Sequence, residues 1–208
     1  MDITAAIIIF LFVATVFSSS GSKSKSGFQQ TETIPSLTVQ QNTSENIPGS
    51  LFADSGLQDP LPAVDAQVRK YGKNISPDEA TFIAENIVKY SEKNNINPKL
   101  LTALYQRESR FNPGAVSPNG ARGLGQLIPS TAENLGVNDC FDIEQNIDGS
   151  SKYFKTLLDK WRGDPKQIQL ALASYLQGYG NIKRSGGEIN KDAQIYINDI
   201  LNITNSIR

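Results

Sequence analysis

Apolar positions along this chain change character twice. Ala5 to Phe17 is an apolar run unbroken by any charge. It is shorter than the ~20 residues a spanning helix needs and has the length of a signal-peptide core. From Ser18 to about Val68 the apolar residues scatter in short clusters (Ile34, Leu37, Leu51-Phe52) among Ser, Gln, Thr, Asn, Gly and Pro. Neither a helical nor a strand period persists there, which is the pattern of a flexible tether.

Beyond the tether the spacing turns helical. Ser76-Pro77-Asp78-Glu79 has the form of a capping box with Pro at the first helical position. It predicts a helix ending near Asn94, with Phe82, Ile83, Ile87 and Tyr90 inward. Asn97-Pro98 opens a second helix that runs to Phe111, with Leu101, Leu104 and Phe111 on its inward stripe. A loop rich in Gly, Pro, Asn and Ser follows from Pro113 to Gly125, then a short helix from Pro129 to Leu135. Asp142 caps Ile143 to Trp161, where Ile147, Phe154, Leu157, Leu158 and Trp161 face in. Asp164-Pro165 starts a helix through Tyr175, and Lys191 to Ile203 gives the last one, with Tyr196, Ile197 and Ile200 inward. No stretch keeps a period-2 alternation. The expected fold class is therefore all-α: one helical domain over 68–208, a flexible linker over 19–67, and an apolar N-terminal helix over 1–18. A domain of about 130 residues or more is long enough for one core.

The first apolar run lacks the positive start of a secretory signal, because residue 2 is Asp and the first cations are Lys23 and Lys25. That order favours an anchor with its N-terminus outside, while Ser18 and Ser19 offer small residues for cleavage of a signal. Residues 1–18 are thus a membrane anchor or a signal segment. Charge divides at the same border: residues 1–67 carry two cations against six acids, a net of −4, and the remainder 18 against 15, a net of +3. A mildly basic domain suits an anionic polymer. No dense basic run or nucleic-acid motif is present, so nucleic acid is not an expected partner.

The chain has no histidine and one cysteine, Cys140. Ser-His-Asp and Cys-His catalysis and His-ligated zinc are excluded at once, and no internal disulfide can form. Cys140 reads as a small packed residue. No metal and no organic cofactor is implied.

One carboxylate stands out. Glu108 lies four residues after Leu104, on the inward stripe of its helix. A carboxylate facing a core is penalised when ionised, so its pKa rises, as a general acid requires. Spacing alone equally allows a Glu at the edge of the stripe, paired with Arg107 or Arg110.

The residues after Glu108 carry a resemblance. Glu108-Ser109, Phe111-Asn112-Pro113, Ser117, Gly120-Ala121, Gly123-Leu124, Gln126, Pro129 and Thr131-Ala132 occur in the order seen in the core of the lytic transglycosylase family, the soluble-lytic-transglycosylase branch of the lysozyme-like superfamily. Ala171-Leu172-Ala173-Ser174-Tyr175 is similar to the family's Ala-Leu-Ala-Ala-Tyr helix, and Tyr196 to the Tyr of its closing helix. The resemblance covers roughly Ser76 to Ile203. It implies a lysozyme-like helical domain in which Glu108 is the catalytic residue and Ser109, Gln126 and Tyr175 contact substrate. Ser109 is expected to bond Glu108 or the glycan, Gln126 an N-acetyl group through both ends of its amide, and Tyr175 the charged intermediate.

The implied reaction needs a single acid. The loop from Asn112 to Gly125 contains no Asp or Glu, and Glu133 is the nearest acid after it. Glu108 would protonate the leaving oxygen while the substrate's own N-acetyl group attacks the anomeric carbon. Glu108 would then take a proton from the 6-hydroxyl, closing a 1,6-anhydro sugar. The resemblance thus implies a peptidoglycan lytic transglycosylase that cuts the MurNAc-GlcNAc bond, for local opening of the wall during envelope penetration or assembly of an envelope-spanning apparatus. Its expected partners are peptidoglycan glycan strands, the membrane through the N-terminal segment, and virion or secretion-apparatus proteins. Its expected place is membrane-anchored or secreted, facing the bacterial cell wall in a periplasm or virion. Two positions depart from the family: its Met is Gly125 here, removing an apolar wall from the cleft, and its Asn is Leu176, removing a polar group. A goose-type muramidase and an inactive glycan-binding assembly protein are the competing readings.

Overall fold

The computed structural model describes residues 59–208. Segment 1–18 and most of the linker over 19–67 lie outside the described residues. Eight helices follow in order: α1 (Leu61–Tyr71), α2 (Pro77–Asn94), α3 (Pro98–Ser109), α4 (Pro129–Asn134), α5 (Ile143–Lys160), α6 (Gln167–Gln177), α7 (Tyr179–Arg184) and α8 (Lys191–Ser206). Among the described residues the only extended pairings are isolated antiparallel bridges, Val116 with Arg122 and Arg122 with Leu127. The all-α expectation holds. No helix of the described residues is long and apolar enough to cross a membrane.

Local chemistry sets the helix ends. The Ser76 side chain accepts from the Glu79 N–H while the Glu79 carboxylate accepts from the Ser76 N–H, closing the capping box of α2. Asn97, Asp142 and Asn190 cap α3, α5 and α8 in the same way through their side-chain oxygens. Asn95 ends α2 in the left-handed conformation, which Asn tolerates better than most residues.

α3 is the centre of the packing. It touches α1, α2 and α8, while α5 joins α2 to α6, and α6 in turn meets α7 and α8. Leu100, Leu101, Ala103, Leu104 and Tyr105 are buried along α3 and meet Ile83 and Ile87 of α2, Phe154 and Leu157 of α5, and Ile197 and Ile200 of α8 in one core. Burying side chains of this size contributes about 1.5–3 kcal/mol each.

Two sequence expectations are corrected, and one element was not foreseen. Phe82 faces outward at 43% exposure, because it sits beside Ile83 and adjacent helical positions differ by about 100°. Ile83 wins the inward direction as part of the Ala80, Ile83, Ala84, Ile87 stripe. The border expected between 67 and 68 falls inside α1, whose Val64, Gln67 and Val68 are buried. α7 is the third difference: a separate six-residue helix after Gly178, which adopts φ 85° and breaks the continuation of α6.

Candidate active site

α3 delivers Glu108 and then stops. The chain reverses through two consecutive non-glycine residues in the left-handed region, Arg110 at φ 53° and Phe111 at φ 60°. Such a conformation costs a bulky residue of order 1–3 kcal/mol. Complete burial of the Phe111 ring offsets it. The reversal folds the loop 112–126 back beside the end of α3, and the loop closes through a third such residue, Gln126 at φ 50°.

The loop is held down by its glycines. At Gly123 (φ 75°) a Cβ would lie 2.0 Å from the Cys140 carbonyl oxygen and 2.3 Å from Asn146, so only glycine fits. Asn146 uses the space, donating to the Arg122 and Cys140 carbonyls and accepting the Gly125 N–H at 2.7 Å. At Gly125 a Cβ would meet Ser150 Cβ at 2.5 Å and Tyr105 at 3.1 Å. The expected gap left by the family's Met is therefore filled: Ser150, on α5, and the buried Tyr105 bond each other at 2.8 Å there. Gly125 is an adapted packing position, which corrects the expectation of a missing cleft wall.

Glu108 is half-buried. Its Oε1 accepts a short hydrogen bond from the Tyr196 hydroxyl on α8. Burial pushes its pKa up to about 7, opposed by the Tyr196 hydrogen bond and the positive charge of Arg107. Of the two placements that spacing allowed, the inward one is found: Glu108 bonds Tyr196, and Arg107 pairs with Asp199 at 3.2 Å. Near neutral pH both protonation states are populated, which lets one group donate a proton and later accept one.

Tyr175 lies on α6 within electrostatic range of Glu108. Its hydroxyl donates to the Gly125 carbonyl at 2.6 Å, and its ring packs against Tyr153 and Phe154 with centroids 5.4 and 6.1 Å away. Burial, then the Glu108 charge, holds the pKa values of Tyr175 and Tyr196 well above the ordinary tyrosine range. Both stay neutral donors whenever Glu108 is ionised.

The other expected site residues are placed differently. Ser109 donates to the Tyr105 carbonyl at 3.3 Å, one turn back in its own helix, and not to Glu108. Gln126 spends its amide N–H groups on the Ala115 and Gly123 carbonyls at 3.2 and 2.9 Å. Only its amide oxygen is left for a ligand, so the two-ended contact expected with an N-acetyl group is reduced to one. Leu176 is half-buried against the main core. Glu133 lines a pocket of about 340 Å³ with Arg122, Asp139, Cys140 and Phe141, a lining that does not include Glu108. Cys140 packs beside Leu127, Ala132 and Val137, and burial raises its thiol pKa. Among the described residues no group of three metal-ligating side chains comes together.

Spacing showed Tyr196 as a core aromatic of the last helix, and the resemblance matched it to the Tyr of the family's closing helix without giving it a role. Its hydrogen-bond partner is 88 residues away, beyond any local pattern.

A helical domain with one raised-pKa carboxyl near two buried tyrosines, one of them tied to a glycine-pinned loop, fits the lysozyme-like transglycosylase class. Residues 85–198, more than half of the chain, match the Transglycosylase SLT domain. The chain belongs to this family. Among its relatives, the Membrane-bound lytic murein transglycosylase F of Saccharophagus degradans is 41% identical over 96 residues, covering 45% of this chain and 19% of that protein. The protein of the same name from Pectobacterium atrosepticum is 42% identical over 91 residues, covering 42% and 19%. The chain thus spans about a fifth of the length of these relatives. The 70 kDa soluble lytic transglycosylase of Escherichia coli superposes with a TM-score of 0.51 at 22% identity, covering 68% of this chain and 27% of that one. An inactive mutant of the lytic transglycosylase Slt from Pseudomonas aeruginosa gives 0.52 at 19%, covering 71% and 30%. At those identities the likeness establishes the fold.

Proposed function

We propose that the chain is a peptidoglycan lytic transglycosylase that cuts the MurNAc-GlcNAc bond and leaves a 1,6-anhydro-MurNAc end, with Glu108 as acid and then base. The observation that carries this reading is the buried, raised carboxyl of Glu108: among the described residues its titration is set by burial, Tyr196 and Arg107, and no second carboxylate figures in it. A hydrolase working by direct displacement needs two carboxyl groups roughly 5–9.5 Å apart. A single acid works where the substrate supplies the nucleophile, and the N-acetyl group of the sugar can do so.

Each flanking group has a task in that sequence. Glu108, neutral below about pH 7, protonates the glycosidic oxygen as the N-acetyl oxygen bonds to the anomeric carbon. The carboxylate formed is stabilised by the Tyr196 hydroxyl. It then removes the proton of the 6-hydroxyl, whose oxygen closes onto the anomeric carbon and expels the N-acetyl oxygen. Tyr175 ties the loop to α6 through Gly125, and the Gln126 amide oxygen is the acceptor for an N-acetyl N–H. Ser109 acts by finishing α3 next to the acid.

The wider setting belongs to the same proposal. Segment 1–18 as membrane anchor or signal, with the acidic linker behind it, would hold or deliver a basic domain to the wall for local opening during envelope penetration or apparatus assembly. The relatives' names, membrane-bound murein transglycosylases, support a wall-facing location.

The test is mass spectrometry of peptidoglycan digested by the full chain, with Glu108→Gln as control. Products lighter by one water than hydrolysed muropeptides, absent with the control, are expected. Full-mass reducing products would replace the reading by a muramidase. Intact glycan would leave a binding or assembly role.

A further inference from the structure

Arg107 and Asp199 stand just outside the residues that the proposed reaction uses, and Arg107 covers the ring of the tyrosine that bonds Glu108. Arg107 is on α3, immediately before Glu108, and Asp199 is on α8, three residues after Tyr196. Arg107 Nε donates to Asp199 Oδ2 at 3.2 Å. The same guanidinium lies over the Tyr196 ring, 5.4 Å from its centroid. The Tyr196 hydroxyl donates to Glu108 Oε1. Three side chains thus form a closed circuit between two helices, with Asp199 attached to it at Arg107: Arg107 to the face of Tyr196, Tyr196 to Glu108, and Glu108 back to Arg107 through the α3 backbone.

We propose that Arg107 and Asp199 are positioning residues for Glu108: Asp199 holds the Arg107 guanidinium over the Tyr196 ring, and that cover fixes the Tyr196 hydroxyl on the carboxyl. This deepens the proposed function and rests on it for its catalytic consequence.

Geometry is the main support. Arg suits this post because its planar cation bonds a carboxylate and covers an aromatic face at the same time, which a lysine ammonium does less well. A surface ion pair by itself contributes little, since both partners here keep 30% and 47% of their side chains exposed. Its use lies in direction. By fixing where the cation sits, Asp199 restricts Arg107 to the Tyr196 face. The charges that bear on Glu108 are all named in this circuit or beside it: Arg107 on its own helix, Tyr196 on α8, and Tyr175 on α6, which stays neutral. Arg107 favours the ionised carboxyl through space, as does the Tyr196 hydrogen bond.

Direction of shift separates a clamp from a simple neighbouring charge. Taken alone, Asp199 is an anion, and its removal would make Glu108 easier to ionise. As part of a clamp, its removal frees Arg107, loosens Tyr196 and makes Glu108 harder to ionise. The two accounts give opposite signs.

The experiment follows the Glu108 carboxyl by carbon NMR titration in the full chain, with selectively labelled Glu, for the wild type, Arg107→Gln, Asp199→Asn, Asp199→Glu and Tyr196→Phe. Circular dichroism checks that each variant is folded. Arg107→Gln is expected to raise the titration midpoint by about half a pH unit, discounted for exposure. Asp199→Asn is expected to raise it by less, and Asp199→Glu to restore it. In the Tyr196→Phe background the Asp199→Asn effect should vanish, as coupling through the ring requires. A fall on Asp199→Asn, or an equal shift with and without the Tyr196 hydroxyl, overturns the clamp. The alkaline limb of glycan cleavage should move with each midpoint. Because the titration needs no substrate, a wild type that releases no anhydro product would retire the proposed reaction while leaving the clamp to be judged on its own signs.

Discussion

Replacing the acid should stabilise the protein, by an amount that grows as pH rises from 4.5 to about 7 and is then constant. Glu108 titrates near 7 in the fold against an ordinary 4.5. Below pH 4.5 the carboxyl is neutral in both folded and unfolded chains and contributes no difference. Between 4.5 and 7 the unfolded chain has released the proton while the folded chain still holds it, so stability falls as pH rises. Above 7 the full penalty of an ionised, half-buried carboxylate is present. At about 1.4 kcal/mol per pH unit, the rise from 4.5 to about 7 amounts to roughly 3 kcal/mol. Glu108→Gln removes the charge and keeps an amide oxygen that can accept from Tyr196, a weaker bond by about 1 kcal/mol. The variant should therefore match or slightly trail the wild type at pH 4.5 and exceed it by about 2 kcal/mol at pH 8.5. Urea unfolding of both full chains at the two pH values measures this, and the midpoint difference should open as pH rises. A difference that stays flat, or that closes toward alkaline pH, refutes the account of Glu108 as a desolvated acid.

Other perturbations test the frame around it. Gly125→Ala drives a Cβ to 2.5 Å from Ser150 Cβ and should cost about 1–3 kcal/mol, read as a lower melting temperature; an unchanged melt would mean the loop is not pinned at this point. Val64→Asp puts a charge at a fully buried position of α1 and should lower stability by about 3 kcal/mol or more, read as a lower urea midpoint; tolerance would return residues 61–67 to the linker. Tyr175→Phe removes the 2.6 Å bond to Gly125 and should lower stability by about 1 kcal/mol while cutting glycan cleavage at least tenfold; cleavage at the wild-type rate would free Tyr175 of any part in the site.

Local signals made most of the frame legible before any coordinates. Capping residues announced α2, α3 and α5, because a cap satisfies N–H groups within three residues of itself and leaves its trace in sequence. Glu108 was legible for a related reason: a carboxylate on an apolar stripe conflicts with its neighbours, and the conflict is visible within one turn. What stayed hidden is long-range or subtractive. α1 does carry a helical spacing in Leu61, Val64 and Val68, but it is short and follows a polar tether that masks it. The direction of Phe82 depended on which of two adjacent apolar residues the core would accept. The consequence of Gly125 could not be read at all, since its meaning lies in Ser150 and Tyr105, which occupy the space a side chain would need. Tyr196 showed its apolar face in the pattern and kept its hydroxyl's partner out of it.

Gly125 also links dynamics to the site. Its N–H is held by Asn146 of α5 and its carbonyl by Tyr175 of α6, so one residue fastens the loop to two helices that themselves pack together. Partial fraying cannot release it: letting go of either bond strands a polar group against a buried surface. The Gly125 amide should therefore exchange with solvent deuterium as slowly as the core of α5, while the exposed Asn119 amide at the loop tip exchanges much faster. On the proposed reading, a glycan strand would meet a loop whose base at Gly125 is already fixed, with the exposed tip as its freer part.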